Sequence, residues 1–105
     1  QMAILTTQVN DSATTVYTSS GSTAITSISF TNYTASAVLV TINVVPSGDS
    51  VANVNTMVKD LVIDAKDTYH MYTASEKLLL SNTDFISCTA NTASALNSIV
   101  SYTSI

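Results

Sequence analysis

The sequence predicts an all-β protein: an antiparallel, jelly-roll-like β-sandwich of about seven to nine short strands, formed as a single domain over residues 1–105. Three observations predict it. Apolar residues recur at every second position in several runs, which is the period of a half-buried strand. Thr and Ser fill 33 of the 105 positions (17 and 16), so exposed strand faces are covered by hydroxyls rather than charges. Hydrophobic residues make up 46% of the chain and charged residues 10%, a balance that supports a packed interior and opposes disorder.

The elements follow from the alternation. Ile28 and Phe30 stand between Ser27, Ser29 and Thr31. Val38, Val40, Ile42 and Val44 form the longest run, with Thr41 and Asn43 on the opposite face. Leu61 and Ile63 repeat the pattern beside Asp60 and Asp64, followed by Ile86, Cys88 and Ala90, then Val100 and Tyr102. The expected core is Phe30, Val38, Val40, Ile42, Leu61, Ile63, Ile86 and Val100, because a one-residue slip would send all of them to solvent. Abundant β-branched residues suit such a pleated surface better than a helix. Residues 57–63 and 75–80 are the only stretches with room for a helix, and both are shorter than a stable isolated one.

Turn chemistry supplies the punctuation. Asn32-Tyr33-Thr34-Ala35-Ser36 and Asn91-Thr92-Ala93-Ser94 are each expected to close an antiparallel hairpin. They share the wording Thr-Ala-Ser-Ala (34–37 and 92–95), either as an internal repeat or as a coincidence of low complexity. Pro46-Ser47-Gly48-Asp49 ends the longest run, since Pro cannot continue a ladder. A polar link over 50–56 follows. Asp64-Ala65-Lys66-Asp67 reads as a tight turn before a strand over 68–72. One Pro and three Lys are too few to guard every sheet edge, so edges are expected to be covered by neighbouring subunits.

Composition excludes several function classes. A net charge of −4 with no Arg argues against nucleic acid as a partner, since phosphate binding needs clustered cations. The longest apolar stretches are broken by Thr, Asn or Asp, so no membrane span is expected. The first residues do not read as a secretory leader, and Gln1 reads as a remnant of an expression tag before a native Met2. Cys88 is the lone cysteine; between Ile86 and Ala90 it reads as a small buried apolar residue rather than a nucleophile.

Candidate chemistry is sparse, and no enzyme, metal or cofactor is expected. His70 is the only histidine, so neither a multi-histidine metal site nor a facial triad can be built in one chain. Its expected place is a half-exposed strand position, with a symmetric or pH-sensitive contact between copies as the minority reading. No Gly-x-Ser-x-Gly elbow exists, because Gly21 and Gly48 lie far apart. Asp60, Asp64 and Asp67 lack the calcium-loop pattern and read as solvated turn charge. Glu76 and Asp84 are unsupported as a glycosidase pair. Of Tyr17, Tyr33, Tyr69, Tyr72 and Tyr102, Tyr33 at a turn is the best contact candidate. Asn10-Asp11-Ser12 and Asn32-Tyr33-Thr34 match the glycosylation pattern at a frequency expected by chance. The Thr-rich strands raise an ice-binding face, but no regular Thr-x-Thr ladder recurs.

Four segments together carry a resemblance. They are residues 17–28, beginning Tyr17-Thr18-Ser19-Ser20-Gly21, and residues 30–38, with Asn32 and Ala35-Ser36-Ala37-Val38. Val44-Val45-Pro46-Ser47-Gly48 comes next, then residues 59–68, with Lys59-Asp60, Ile63, Ala65 and Asp67-Thr68. In this order the chain resembles small virion proteins of tailed bacteriophages, including those of marine cyanobacteria, over residues 13–104. Asp64 stands where that family usually has a Pro. The resemblance implies a non-enzymatic β-sandwich component of the virion, with no catalytic residues. It would be a capsid decoration (cement) protein bound to the major capsid protein or other virion proteins, or a tail or fibre-tip module that binds a host receptor or glycan. It also implies a homotrimer, because capsid threefold sites and fibres impose that symmetry. A shallow Tyr/Asn/Asp pocket would favour the glycan-binding alternative.

Overall fold

Alternation along the longest apolar run places its side chains as the period requires. The computed structural model describes residues 2–71 and 78–105. Val38, Val40 and Ile42 are buried and Val44 packs against the same core, while Thr41, Asn43 and Val45 face the other way. That run is β4 (Val38–Val45). Around it lie β1 (Met2–Val9), β2 (Thr14–Thr18), β3 (Thr23–Asn32), β5 (Thr56–Ile63), β6 (Thr68–Met71), β7 (Leu78–Leu80), β8 (Phe85–Ala90) and β9 (Leu96–Ser104). A single 3-10 turn, Asn53–Asn55, is the only helical element among the described residues. Residues 57–63 are therefore strand; of residues 75–80, Leu78–Leu80 is strand and the rest lies outside the described residues, as does Tyr72.

The strands form two antiparallel sheets. The first has the order β1-β9-β3, with β6 and β7 both paired to the far side of β3. There β6 lies opposite Ile28 to Thr31, and β7 lies opposite Thr23 to Ile25. The second sheet has the order β2-β8-β4-β5. This is the strand order of an eight-stranded jelly roll whose sixth strand is divided into β6 and β7.

Between the sheets lies one core, built from Val9, Val16, Ile25, Ile28, Phe30, Val38, Val40, Ile42, Ile63, Ile86, Cys88, Leu96 and Val100. Seven of the eight expected core residues are buried. The eighth, Leu61, packs against the core but is only partly buried, because β5 is an edge strand with no further strand paired to it among the described residues. Tyr17 and Tyr102 close one end of the core, with ring centroids 4.5 Å apart.

Both expected hairpins are corners instead. Residues 32–36 join β3 of the first sheet to β4 of the second, and residues 91–94 join β8 of the second to β9 of the first. The physical reason is that a corner between layers uses the same small, polar, turn-forming residues as a hairpin. Among the described strands, only β4 and β5 are both consecutive and paired, so the polar link after Pro46 is the loop of the one hairpin. The turn after Pro46 closes through Asp49 N–H to the Pro46 carbonyl (3.0 Å), with Gly48 in the left-handed region at φ +87°. The tight turn at 64–67 is as expected, closed by Asp67 N–H to the Asp64 carbonyl at 3.1 Å.

Candidate interaction surfaces

The most elaborate polar construction in the molecule is the pair of corners. Asn32, the last residue of β3, is fully buried. Its Nδ2 donates to the carbonyls of Ser36 (2.8 Å) and Ile63 (3.0 Å), and its Oδ1 accepts from the Thr34 amide (3.0 Å) and hydroxyl (2.7 Å). One side chain thus folds the 32–36 corner and ties it to β5. Asn91 does similar work at the other corner: its Oδ1 accepts from the Leu39 amide at 3.0 Å. Tyr33 joins the two, its hydroxyl donating to the Ser94 carbonyl and accepting from Gln8 Nε2 at 2.7 Å. Lys66 Nζ donates to the Tyr33 carbonyl at 3.3 Å. The Tyr33 ring is 41% exposed, but its polar end is already engaged within the chain. Asn32 is also closed to glycosylation in the folded chain, since its amide nitrogen is buried and donates twice.

His70 is exposed on β6, opposite Ser29. It belongs to the outer face of the first sheet, where cross-strand registers define two rows: Thr6, Ile99, Ser29 and His70, then Gln8, Asn97, Thr31 and Thr68. Ile4, Ser101 and Ser27 form a third. Among the described residues this face holds no Asp, Glu or Lys, and His70 is its only titratable group. The carboxylates and lysines among the described residues lie instead on turns and on β5, an edge of the second sheet. A shallow depression of about 290 Å³ runs along β1 and β9 between Gln8 and Ile99. A second, of about 270 Å³, sits under the β4–β5 link and is bounded by Thr41, Asn53, Lys59 and Thr89. Asparagines line both, Asn97 the first and Asn43 and Asn53 the second, but neither is lined by a tyrosine or an aspartate.

The remaining candidates are structural. Cys88 is fully buried opposite Ile42, and desolvation pushes its thiol up to about 12. Among the described residues no three His, Cys, Asp or Glu side chains gather to hold a metal. Asp60 occupies a bulge of β5 in the left-handed region (φ +51°), with its amide donating to Thr41 Oγ1 at 3.2 Å. Asp67 Oδ1 accepts from the Thr68 amide at 2.9 Å. Asp84 clamps two loops, Oδ1 accepting from the Ser47 amide and Oδ2 from the Ser81 amide, both at 2.8 Å. Glu76 lies outside the described residues. Sequence reasoning missed the buried asparagines, including Asn43, whose Nδ2 donates to the Ala52 carbonyl (3.0 Å), Asn55 Oδ1 (2.9 Å) and Thr56 Oγ1 (3.1 Å), holding the link over β4. The available signal was an Asn at or near a strand end, where an amide satisfies turn backbone.

The chain matches no protein-family model and no curated protein. Two solved structures share its fold. One is described as Bacillus endospore appendages that form a novel family of disulfide-linked pili: TM-score 0.52, 14% identity, covering 100% of this chain and 86% of that one. The other is the acidic stable capsid structure of Helicobacter pylori bacteriophage KHP30: TM-score 0.53, 8% identity, covering 97% and 83%. At these identities the likeness is one of fold.

Proposed function

We propose that the chain is a non-enzymatic structural subunit of a bacteriophage particle, a capsid decoration (cement) protein that seats on the shell and associates with copies of itself. The observation that carries this reading is the outer face of the first sheet, a broad hydroxyl and amide surface without carboxylates or lysines among the described residues. Such a face meets another protein without stranding charge. The phage capsid and the pilus, both assemblies of protein, support the reading through their shared fold. The alternative, a tail or fibre-tip module, draws on the same resemblance, but both depressions lack the aromatic platform a glycan site uses. Mass spectrometry of purified particles tests the proposal. Copies comparable in number to the major capsid protein are expected; a handful per particle would point to the tail, and absence from the particle would overturn both.

A further inference from the structure

We propose that β1 is a self-complementary docking edge, pairing antiparallel with β1 of a second copy about a two-fold axis at Leu5. This rests on the reading of the chain as a structural subunit and names one of its partners, with a two-fold contact in place of the homotrimer that the resemblance implies. β1 is the outermost strand of the first sheet, paired to β9 on one side only. Its eight residues run in register with β9 without a bulge and include no Lys, Asp, Glu or Pro. These are the devices that natural edges use to refuse a further strand, and β1 has none of them.

Two apolar side chains of β1 are left uncovered at this edge. Leu5 lies opposite Val100, on the core-facing side, yet is 41% exposed. Ile4 points to the outer face and is 65% exposed. An added strand would cover both, and adjacent backbone groups would find partners in it.

The occupant follows from the other edges. β2 has five residues and a bulge at Val16, β5 is bulged and carries Lys59 and Asp60, and β6 and β7 have four and three residues. None matches β1 in length, regularity and neutrality; a second β1 does. Antiparallel partners must share a face, so only residues of equal parity meet across the axis. Centring on Leu5 pairs Leu5 with Leu5, Ile4 with Thr6 and Ala3 with Thr7, so that residues 2–8 overlap. Centring on Thr6 gives an overlap of equal length, residues 3–9, but sets Leu5 against Thr7, so that Leu5 loses its apolar mate at the axis. The contact is smaller than a standard interface of about 1,600 Å², so it is concentration-dependent. Because the strand is neutral, association is also insensitive to salt.

The experiment uses the full purified chain. Sedimentation velocity across a micromolar to millimolar series should show the 11.0 kDa species giving way to one of twice that mass. Thr6→Lys, on the exposed face beside the axis, should weaken association at least tenfold while circular dichroism stays unchanged. Leu5→Cys should cross-link to a dimer under mild oxidation, whereas Gln8→Cys, remote from its own mate, should not; the buried Cys88 stays silent in both. A chain monomeric throughout, a trimer, a Thr6→Lys protein that associates normally, or cross-linking at position 8 but not 5 would each overturn the proposal. None of these results depends on finding the chain in a particle, so the two readings fail separately.

Discussion

Single residues here are decided by burial and by hydrogen-bond satisfaction, and only the first was legible beforehand. Cys88 could be read as core because its neighbours alternate around it. Asn32 and Asn43 could not, since asparagine is ordinarily a surface residue and nothing in the pattern says that backbone carbonyls from distant strands converge on it. The thiol has a measurable consequence. Its pKa rises from 9.0 to about 12 on folding because the thiolate would be desolvated. The native state therefore keeps a proton that the unfolded chain releases above pH 9. The associated stability is complete below that pH and is lost as pH rises toward 12, by about 1.4 kcal/mol per pH unit. Denaturant titrations from pH 8 to 11 should show this slope as a difference between the native protein and Cys88→Ala. Parallel pH profiles for the two proteins would contradict it.

At the scale of elements, period-two alternation located β3, β4, β5, β8 and β9 and their inward faces, because one buried side per strand is a local property. The period marked neither β1 nor β2, where Thr and Gln interrupt the apolar residues. It could not choose partners. The segments at 32–36 and 91–94 look like hairpin loops because hairpins and corners both need small residues and side chains that cap backbone groups. What separates them is long-range: the Asn32 amide reaches the Ile63 carbonyl, and Tyr33 reaches Ser94. The shared Thr-Ala-Ser-Ala wording thus falls at two neighbouring corners joined by one tyrosine. Asn32→Ala should leave the Ser36 and Ile63 carbonyls and the Thr34 amide without their partner, destabilising the protein by about 2–4 kcal/mol. Chemical denaturation should show a lower midpoint with an unchanged m-value, whereas a loss below 1 kcal/mol would mean that water replaces the side chain at little cost.

For the whole molecule, the decisive feature is that its two ends are neighbours. β1 pairs with β9 from Met2 opposite Thr103 to Val9 opposite Leu96, so the first and last strands sit side by side in the same sheet. β9 is also the bridge to β3, and β8 joins β2 to β4. A chain emerging from its N-terminus therefore holds one interior strand of each sheet, β3 and β4, but lacks the other two, β9 and β8, until its last residues arrive. Almost every ladder closes a long loop, and the entropy of closing it is lost before the contact contributes. Among the described strands only the β4–β5 hairpin forms locally, and it is loosened by its bulges and by a ten-residue connection. Refolding after dilution from denaturant should accordingly run on the order of milliseconds to seconds, in the range of non-local β topologies rather than helical bundles. Stopped-flow fluorescence of the tyrosines, with Tyr17 and Tyr102 reporting on closure of the core, measures it directly. A full-amplitude phase in microseconds would mean that the sheets assemble from local contacts that this strand order does not provide.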